Sequence, residues 1–164
     1  MRLLPFAAAL AAGVLSACAA GTVLEIVREP EGQRVFCRRV QPGEEVILAY
    51  VHSVNRRPVY DTLRIEDGRL VIVKSRFDAF GAGMPDGSTD EGSLEVLAGG
   101  ILEWRLDRPV GEVTLRVGRV ADHRLLFREG EVSLDRLAPP GAALTLRPGR
   151  AERFDFLWKG RCSP

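Results

Sequence analysis

Short strand-like runs recur along almost the whole chain, and this pattern most limits what the chain can fold into. The runs are rich in Val, Ile, Leu and aromatic residues, and Gly, Pro or Asp turn signals separate them at intervals of about 8–12 residues. No segment has sustained helical periodicity with caps. The sequence predicts an all-β fold, a single-domain β-sandwich or barrel of short antiparallel strands with little or no helix. The predicted strands are 23–28, 34–39, 46–52, 59–65, 70–77, 102–106, 113–117, 124–127, 144–147 and 154–158.

Asp67-Gly68 is the strongest hairpin signal in the chain. A two-residue type I′ turn needs positive φ at both central positions, and Asp-Gly satisfies this requirement. With this turn, four cross-strand pairs are predicted: Glu66 with Arg69, Ile65 with Leu70, Leu63 with Ile72, and Asp61 with Lys74. Since side chains alternate between faces, a slip of one residue would move every side chain beyond it to the opposite face.

The same register predicts a cluster of polar groups at one end of a three-stranded meander. The strand before the hairpin ends at His52, which should lie near the start of the strand that carries Asp61. The loop Gly81-Ala82-Gly83 is interpreted either as backbone amides that bind an anion or as a sharp turn that needs positive φ. The candidate residues for binding a ligand or a partner are His52, Ser53, Asp61, Arg76, Gly81, Gly83 and Pro85.

His52 permits several interpretations. Ser/His catalysis is disfavoured, because adjacent strand residues point to opposite faces and no G-x-S-x-G motif exists to present a serine. His52 is therefore either a partly buried histidine bonded to Asp61, a residue of a binding site, or a general base oriented by Asp61. No residue is assigned as catalytic, and no metal site or cofactor is predicted. His123, in a turn-like region after Asp122, is predicted at the surface.

The N-terminal segment resembles an export signal. Arg2 is followed by an apolar run too short to span a bilayer, and Leu15-Ser16-Ala17-Cys18 looks like a bacterial lipobox. Residues 1–17 are predicted to be a lipoprotein signal peptide, 18–22 a lipidated tether and 23–164 the β domain. Lipidation at Cys18 would anchor the protein in the cell envelope, facing the periplasm or the extracellular side. The alternative is an ordinary signal peptide with a chance cysteine.

The charge balance limits the kinds of partner that the chain can bind, and the cysteine content limits how its cysteines can pair. One of the 23 basic residues, Arg2, precedes Cys18, which leaves 22 basic against 22 acidic residues and no basic stripe. A nucleic-acid partner is therefore not expected. Cys37 and Cys162 remain once Cys18 is lipidated, and in an oxidising compartment they either form a disulfide or stay as two thiols. Their spacing does not support a metal site.

Two motifs carry a family resemblance. The residues H-S-V at 52–54, P-V at 58–59, Asp61 and F-G-A-G-M-P at 80–85 resemble the bacterial family known as domain of unknown function 1850. Such proteins are small and exported, and they are often encoded beside subunits of TAXI-type TRAP transporters. The resemblance extends from about residue 23 to 158. The family pattern commonly has an acid after H-S-V, where this chain has Asn55.

Together with the lipobox and the clustered polar groups, the resemblance predicts an envelope lipoprotein that acts as an accessory or binding module, with a transporter or its solute-binding protein as the partner. It implies no catalytic residues. Two alternatives remain from the residues themselves, an envelope enzyme that uses His52 and Asp61, and a purely structural surface lipoprotein.

Overall fold

The structure, a computed structural model, describes residues 21–41 and 43–150. Within these residues, antiparallel strands form two sheets that pack as a sandwich, with two short 3₁₀ turns at Ala98–Gly100 and Leu134–Arg136. The predicted all-β fold is confirmed. The strands are β1 (Thr22–Glu29), β2 (Gln33–Arg39), β3 (Glu45–Val51), β4 (Pro58–Glu66), β5 (Arg69–Phe77), β6 (Gly92–Val96), β7 (Leu102–Gly111), β8 (Val113–Arg116), β9 (Arg124–Phe127), β10 (Gly130–Ser133) and β11 (Ala143–Arg150).

The two sheets differ in size. The smaller has the order β2-β1-β11-β8, and the larger has the order β10-β9-β3-β4-β5-β7-β6. Hairpin connections place β3, β4 and β5 side by side at the centre of the larger sheet, so the predicted three-stranded meander is present. The residues singled out from the sequence therefore lie on the larger sheet or in its loops.

The core has two parts because the smaller sheet does not cover all of the larger one. The main cluster lies between the sheets and includes Leu24, Ile26, Leu48 and Leu63. A second cluster of Val59, Phe77, Leu102 and Trp104 has Met84 and Leu94 packed against it. Tyr50 packs against both clusters. Burial of this apolar area, at about 25 cal/mol per Å², is the main force that holds the sheets together.

Nine of the ten predicted strands are present, and the tenth, at 154–158, lies outside the described residues. Two strands were not predicted. β6 begins inside a polar stretch and pairs only with β7 at the edge of the sheet, and the alternation of Ser93 to Val96 is too short to stand out. β10 has the single apolar residue Val132 and forms by closing a hairpin onto β9.

The β4–β5 hairpin follows the predicted register only near its turn. Asp67 and Gly68 both have positive φ, at 50° and 73°, and the pairs of Glu66 with Arg69 and Leu63 with Ile72 are present. A β-bulge between Thr62 and Leu63 then leaves Val73 as an extra residue in β5. The predicted pair of Asp61 with Lys74 is therefore wrong.

Beyond the bulge, Thr62 lies opposite Lys74 and Asp61 lies opposite Ser75. Because one inserted residue exchanges the two faces, Asp61 and Ser75 face the interior while Lys74 and Arg76 face outward.

Candidate functional site

The structure separates the predicted site into three places. The loops at the end of the larger sheet carry His52, Ser53, Gly81, Gly83 and Pro85. Asp61 lies on the core-facing side of the larger sheet, and Arg76 lies on its outer face. The prediction of which residues gather at the loops is correct. The prediction that Asp61 and Arg76 share one face of the hairpin is wrong, because the sequence did not reveal the bulge.

The first loop, residues 52–57, is closed by its own backbone. The His52 amide donates to the Arg57 carbonyl at 2.9 Å, and the Arg56 amide donates to the His52 carbonyl at 3.0 Å. The Val54 amide donates to His52 Nδ1 at 3.3 Å, which leaves Nε2 to carry the proton of the neutral ring. Ser53 and Val54 are exposed at the tip of this loop.

The second loop, residues 78–85, is bonded to the first, and we call the two the paired loops. Asn55 Nδ2 donates to the carbonyls of Ala79 at 3.3 Å and Phe80 at 3.2 Å. Asn55 Oδ1 accepts the Arg57 amide at 3.1 Å. The Arg57 guanidinium binds both carboxylate oxygens of Asp78, with Nε to Oδ1 at 2.9 Å, and this hydrogen bond lowers the pKa of Asp78. Side chains of the first loop therefore hold the second in place.

The glycines of the second loop have different roles. The Met84 amide donates to the Gly81 carbonyl at 3.0 Å and closes a turn in which Gly83 has a φ of +79°. The interpretation as a sharp turn that needs positive φ is correct for Gly83, while anion binding stays a prediction. Gly81 is a point of close approach, because a Cβ there would lie 2.8 Å from Asn55 Nδ2 and 3.3 Å from His52 Cε1. Pro85 follows Met84, which packs on the second core cluster.

His52 and Asp61 are not bonded to each other. His52 lies level with Arg57, whereas Asp61 lies opposite Leu48, four residues farther along β4. At a rise of about 3.3 Å per residue this separates them by about 13 Å along the strand. The interpretation of His52 as bonded to Asp61 is therefore wrong. The arrangement of a histidine base oriented by this carboxylate is also not present.

Asp61 instead belongs to a polar cluster inside the sandwich. Ser75 Oγ donates to Asp61 Oδ1 at 2.6 Å. The Tyr50 hydroxyl interacts with the same carboxylate. Burial raises the pKa of Asp61, and the two hydroxyl bonds counter part of that rise. Burial and the neighbouring Asp61 charge raise the pKa of Tyr50. Sequence reasoning missed Tyr50 and Ser75, since only the bulge brings Ser75 to this face.

His123 is partly buried rather than at the surface. Its ring centroid lies 5.9 Å from that of Tyr50, and burial lowers its pKa, although Asp122 acts against this. Its Nδ1 is buried and has no hydrogen-bond partner among residues 21–41 and 43–150.

Arg76 is part of an ion-pair group on the outer face. Glu103 is only 1% exposed there, and its two carboxylate oxygens accept Arg76 Nε and Arg105 Nε. Burial alone would raise the pKa of Glu103, but the two arginine bonds outweigh it and lower the pKa. Lys74, two residues from Arg76 on the same face, bonds to Glu45 at 3.3 Å.

The predictions of lipidation and of a disulfide involve cysteines outside the described residues. Cys18 and Cys162 both lie outside them. Cys37 is buried in β2 and is disulfide-bonded, so its pairing with Cys162 in particular stays a prediction. Among residues 21–41 and 43–150 there is no group of three or more His, Cys, Asp or Glu that could hold a metal ion. No helix in this part of the chain has the length and apolar character needed to cross a membrane.

Comparison with protein families agrees with the resemblance in the two motifs. The model of one family matches residues 46–134, which include the paired loops, the interior cluster and the outer face of β3, β4 and β5. In comparisons with curated proteins and with solved structures, nothing matches the chain. The matched residues make up more than half of the sequence, so the chain belongs to the family described as domain of unknown function (DUF1850).

Proposed function

We propose that this protein is a lipid-anchored protein of the cell envelope that binds a partner protein through the paired loops, as an accessory module of a TRAP-type solute transporter. The lipobox at Cys18 supports the anchor. The gene neighbourhood that the family resemblance implies supports the partner. The separation of His52 from Asp61 favours binding over catalysis, because a histidine base would lack its orienting carboxylate.

The observation that carries the proposal is an exposed apolar pair on a rigid support. Val54 and Phe80 are 67% and 54% exposed, and they lie at the tips of the two loops that Asn55 bonds together. The Phe80 ring packs edge-on against Phe77 at 6.3 Å, which fixes its direction. Loops that are already ordered lose little conformational entropy on binding, so exposed apolar side chains on them suit recognition of another protein.

In-cell photocrosslinking tests the partner. A photoreactive phenylalanine analogue is placed at position 54 or 80 of the full-length protein, and the adducts are identified by mass spectrometry. Val96, which is 71% exposed on the edge strand β6, is the matched control position. We expect adducts with a transporter subunit or its solute-binding protein from positions 54 and 80 only. Absence of adducts, or the same adducts from position 96, would contradict the proposal.

The anchor is tested separately. In the wild-type protein we expect the mature N-terminal peptide to begin at an acylated Cys18, and membrane fractionation to place the protein with the lipid. Cys18→Ala should remove the acyl chains and leave the protein unprocessed. A wild-type protein recovered unacylated and soluble from the periplasm would refute the lipoprotein assignment while leaving the loop proposal open.

A further inference from the structure

A groove of about 450 Å³ crosses the outer face of the larger sheet, on the side away from the smaller sheet. Its floor is a row of cross-strand neighbours from β9, β3 and β4, namely Leu126, Ile47 and Thr62. Tyr60, Pro58 and Ile101 form further parts of its lining. The lining is mostly apolar. The volume is within the range of about 300–1,000 Å³ that is typical of small-molecule sites.

Three charged side chains line this groove, and they differ in how far they are neutralised. Asp78 is held by both nitrogens of the Arg57 fork, so its charge is already matched. Lys74 bonds to Glu45, and Arg76 bonds through Nε to Glu103; neither of these glutamates lines the groove.

The two cations retain donors that could serve a ligand. Glu103 also accepts a hydrogen bond from Arg105, so two arginines share a single buried carboxylate. Among the described residues, no contact engages the terminal nitrogens of Arg76.

The β-bulge places both cations on the outer face. Lys74 and Arg76 are two residues apart on one face of β5, about 7 Å at the usual rise, and both border the apolar floor. An ammonium and a guanidinium at this spacing present several N–H donors to one anion, and hydrogen bonds between charged groups are about twice as strong as neutral ones. An apolar floor beside two such donors is complementary to a molecule with an apolar body and one carboxylate.

We infer that this groove is a binding site for a small carboxylate with an apolar body, with the carboxylate on Lys74 and Arg76 and the body on Ile47, Tyr60 and Leu126. This site meets the paired loops only at Asp78, which borders the groove, and it includes neither Val54 nor Phe80. It does not depend on the partner or on lipidation.

Hexanoate is the probe, and binding is measured on the full-length protein by titration of amide chemical shifts. Hexanamide has the same body without the charge, and hexylammonium reverses the charge. We expect saturable shifts with hexanoate that are confined to β3, β4, β5 and β9, and little or none with the other two. Phenylacetate in a parallel titration distinguishes an aromatic solute from a fatty-acyl carboxylate as the preferred body.

Three variants and one control test the residues. Arg76→Gln and Lys74→Gln should each weaken hexanoate binding about tenfold, because each removes a charged donor. Tyr60→Ala should weaken it without changing the selectivity for the anion. Lys74 and Tyr60 make no bond to the buried Glu103, so these variants keep the test valid if Arg76→Gln unfolds. Arg108→Gln is the control, since Arg108 lies on β7 outside the groove lining.

The inference is overturned if hexanoate gives no saturable shifts at millimolar concentration, or if hexylammonium binds equally well. It is also overturned if Arg108→Gln weakens binding as much as Lys74→Gln. Loss of crosslinking at positions 54 and 80 would leave it unaffected.

Discussion

Asn55 and Gly81 decide the geometry of the paired loops at the scale of single residues. Asn55 donates to two carbonyls of the second loop and accepts an amide of its own, so one side chain satisfies three backbone groups. Gly81 leaves the space that this side chain and the His52 ring occupy. An aspartate at position 55 could not donate these bonds, because an ionised carboxylate only accepts them.

Substitutions at Gly81 and Gly83 should lower the free energy of unfolding for different physical reasons. Gly81→Ala brings a Cβ to 2.8 Å from Asn55 Nδ2 and should lower the free energy of unfolding by about 1–3 kcal/mol. Gly83→Ala meets no atom within 4 Å and should cost about 1–2 kcal/mol through its positive φ alone. Urea unfolding measures both.

Asparagine separates the two mechanisms. Since Asn tolerates the left-handed region, Gly83→Asn should cost less than Gly83→Ala, whereas Gly81→Asn should cost at least as much as Gly81→Ala. Equal behaviour of the two positions would contradict this assignment.

Asp61 should make stability depend on pH. Burial raises its pKa in the folded state, so above the unfolded value of about 3.9 the folded state binds more protons than the unfolded state. Its contribution to the free energy of unfolding therefore falls as pH rises from about 4 through the folded pKa. Urea unfolding of wild type and Asp61→Asn over a pH series should show the wild type losing stability relative to the variant in that window.

Ser75→Ala provides the second arm of this test. The Ser75 hydroxyl bond opposes the rise in the pKa of Asp61, so its removal should extend the window to higher pH. A difference between wild type and Asp61→Asn that stays flat or grows with pH would exclude the assigned direction.

At the scale of elements, the bulge in β5 determines which side chains meet. Without it, Lys74 would lie beside Asp61 in the interior, and Ser75 would face outward with the groove residues. With it, a carboxylate and two hydroxyls share the interior, and two cations share the outer face. One extra residue thus separates an interior polar cluster from an outer binding surface.

Ser75→Glu tests this register. Because Ser75 bonds to Asp61 on the core-facing side of the larger sheet, a second carboxylate there should destabilise the fold by about 3 kcal/mol or more. Lys74→Gln is the matched control on the next residue, and it should change stability by less than about 1 kcal/mol because its partner Glu45 is exposed. The melting temperatures of both variants, measured by thermal unfolding, test this register. A tolerated Ser75→Glu would mean that Ser75 faces outward.

The larger sheet has seven strands and the smaller has four, so the sandwich at the scale of the whole molecule is unequal. Apolar side chains of the second cluster would be exposed if Met84 and Leu94 did not pack against them. The segment that carries the second of the paired loops therefore contributes to the core through Met84, and this connects the candidate binding surface to the stability of the fold.

The predicted Cys37–Cys162 disulfide is a test of the whole chain. In the chain-entropy model, closure of so long a loop stabilises the folded state by about 4–5 kcal/mol. Peptide mapping without reductant should recover one linked pair that contains Cys37 and Cys162, and Cys162→Ser should lower the melting temperature. A linked pair of Cys37 with another cysteine, or no change in melting temperature, would contradict this pairing.

Local features of the sequence were sufficient to predict the strands and the gathering of the paired loops. Period-two alternation predicted nine described strands, because each of them must bury one face. Asp67-Gly68 predicted the hairpin because the type I′ turn has a local φ requirement. The gathering of His52 with Gly81 was also predictable, since β3 and β5, which lead to the two loops, lie on either side of β4 and end at the same edge of the meander.

The bulge and its consequences were not available from the sequence. Val73 has the same β-branched, apolar character as Val71 and Ile72 before it, and nothing local distinguishes it as the inserted residue. Its position reflects the pairing of β5 with both β4 and β7, where register shifts occur on each side. The sequence by itself determined the class of fold and the loop residues through local backbone preferences. Only the tertiary structure decided that Asp61 faces Ser75 inside and Arg76 borders a groove outside, because the face of a strand residue depends on the count of residues along paired neighbours.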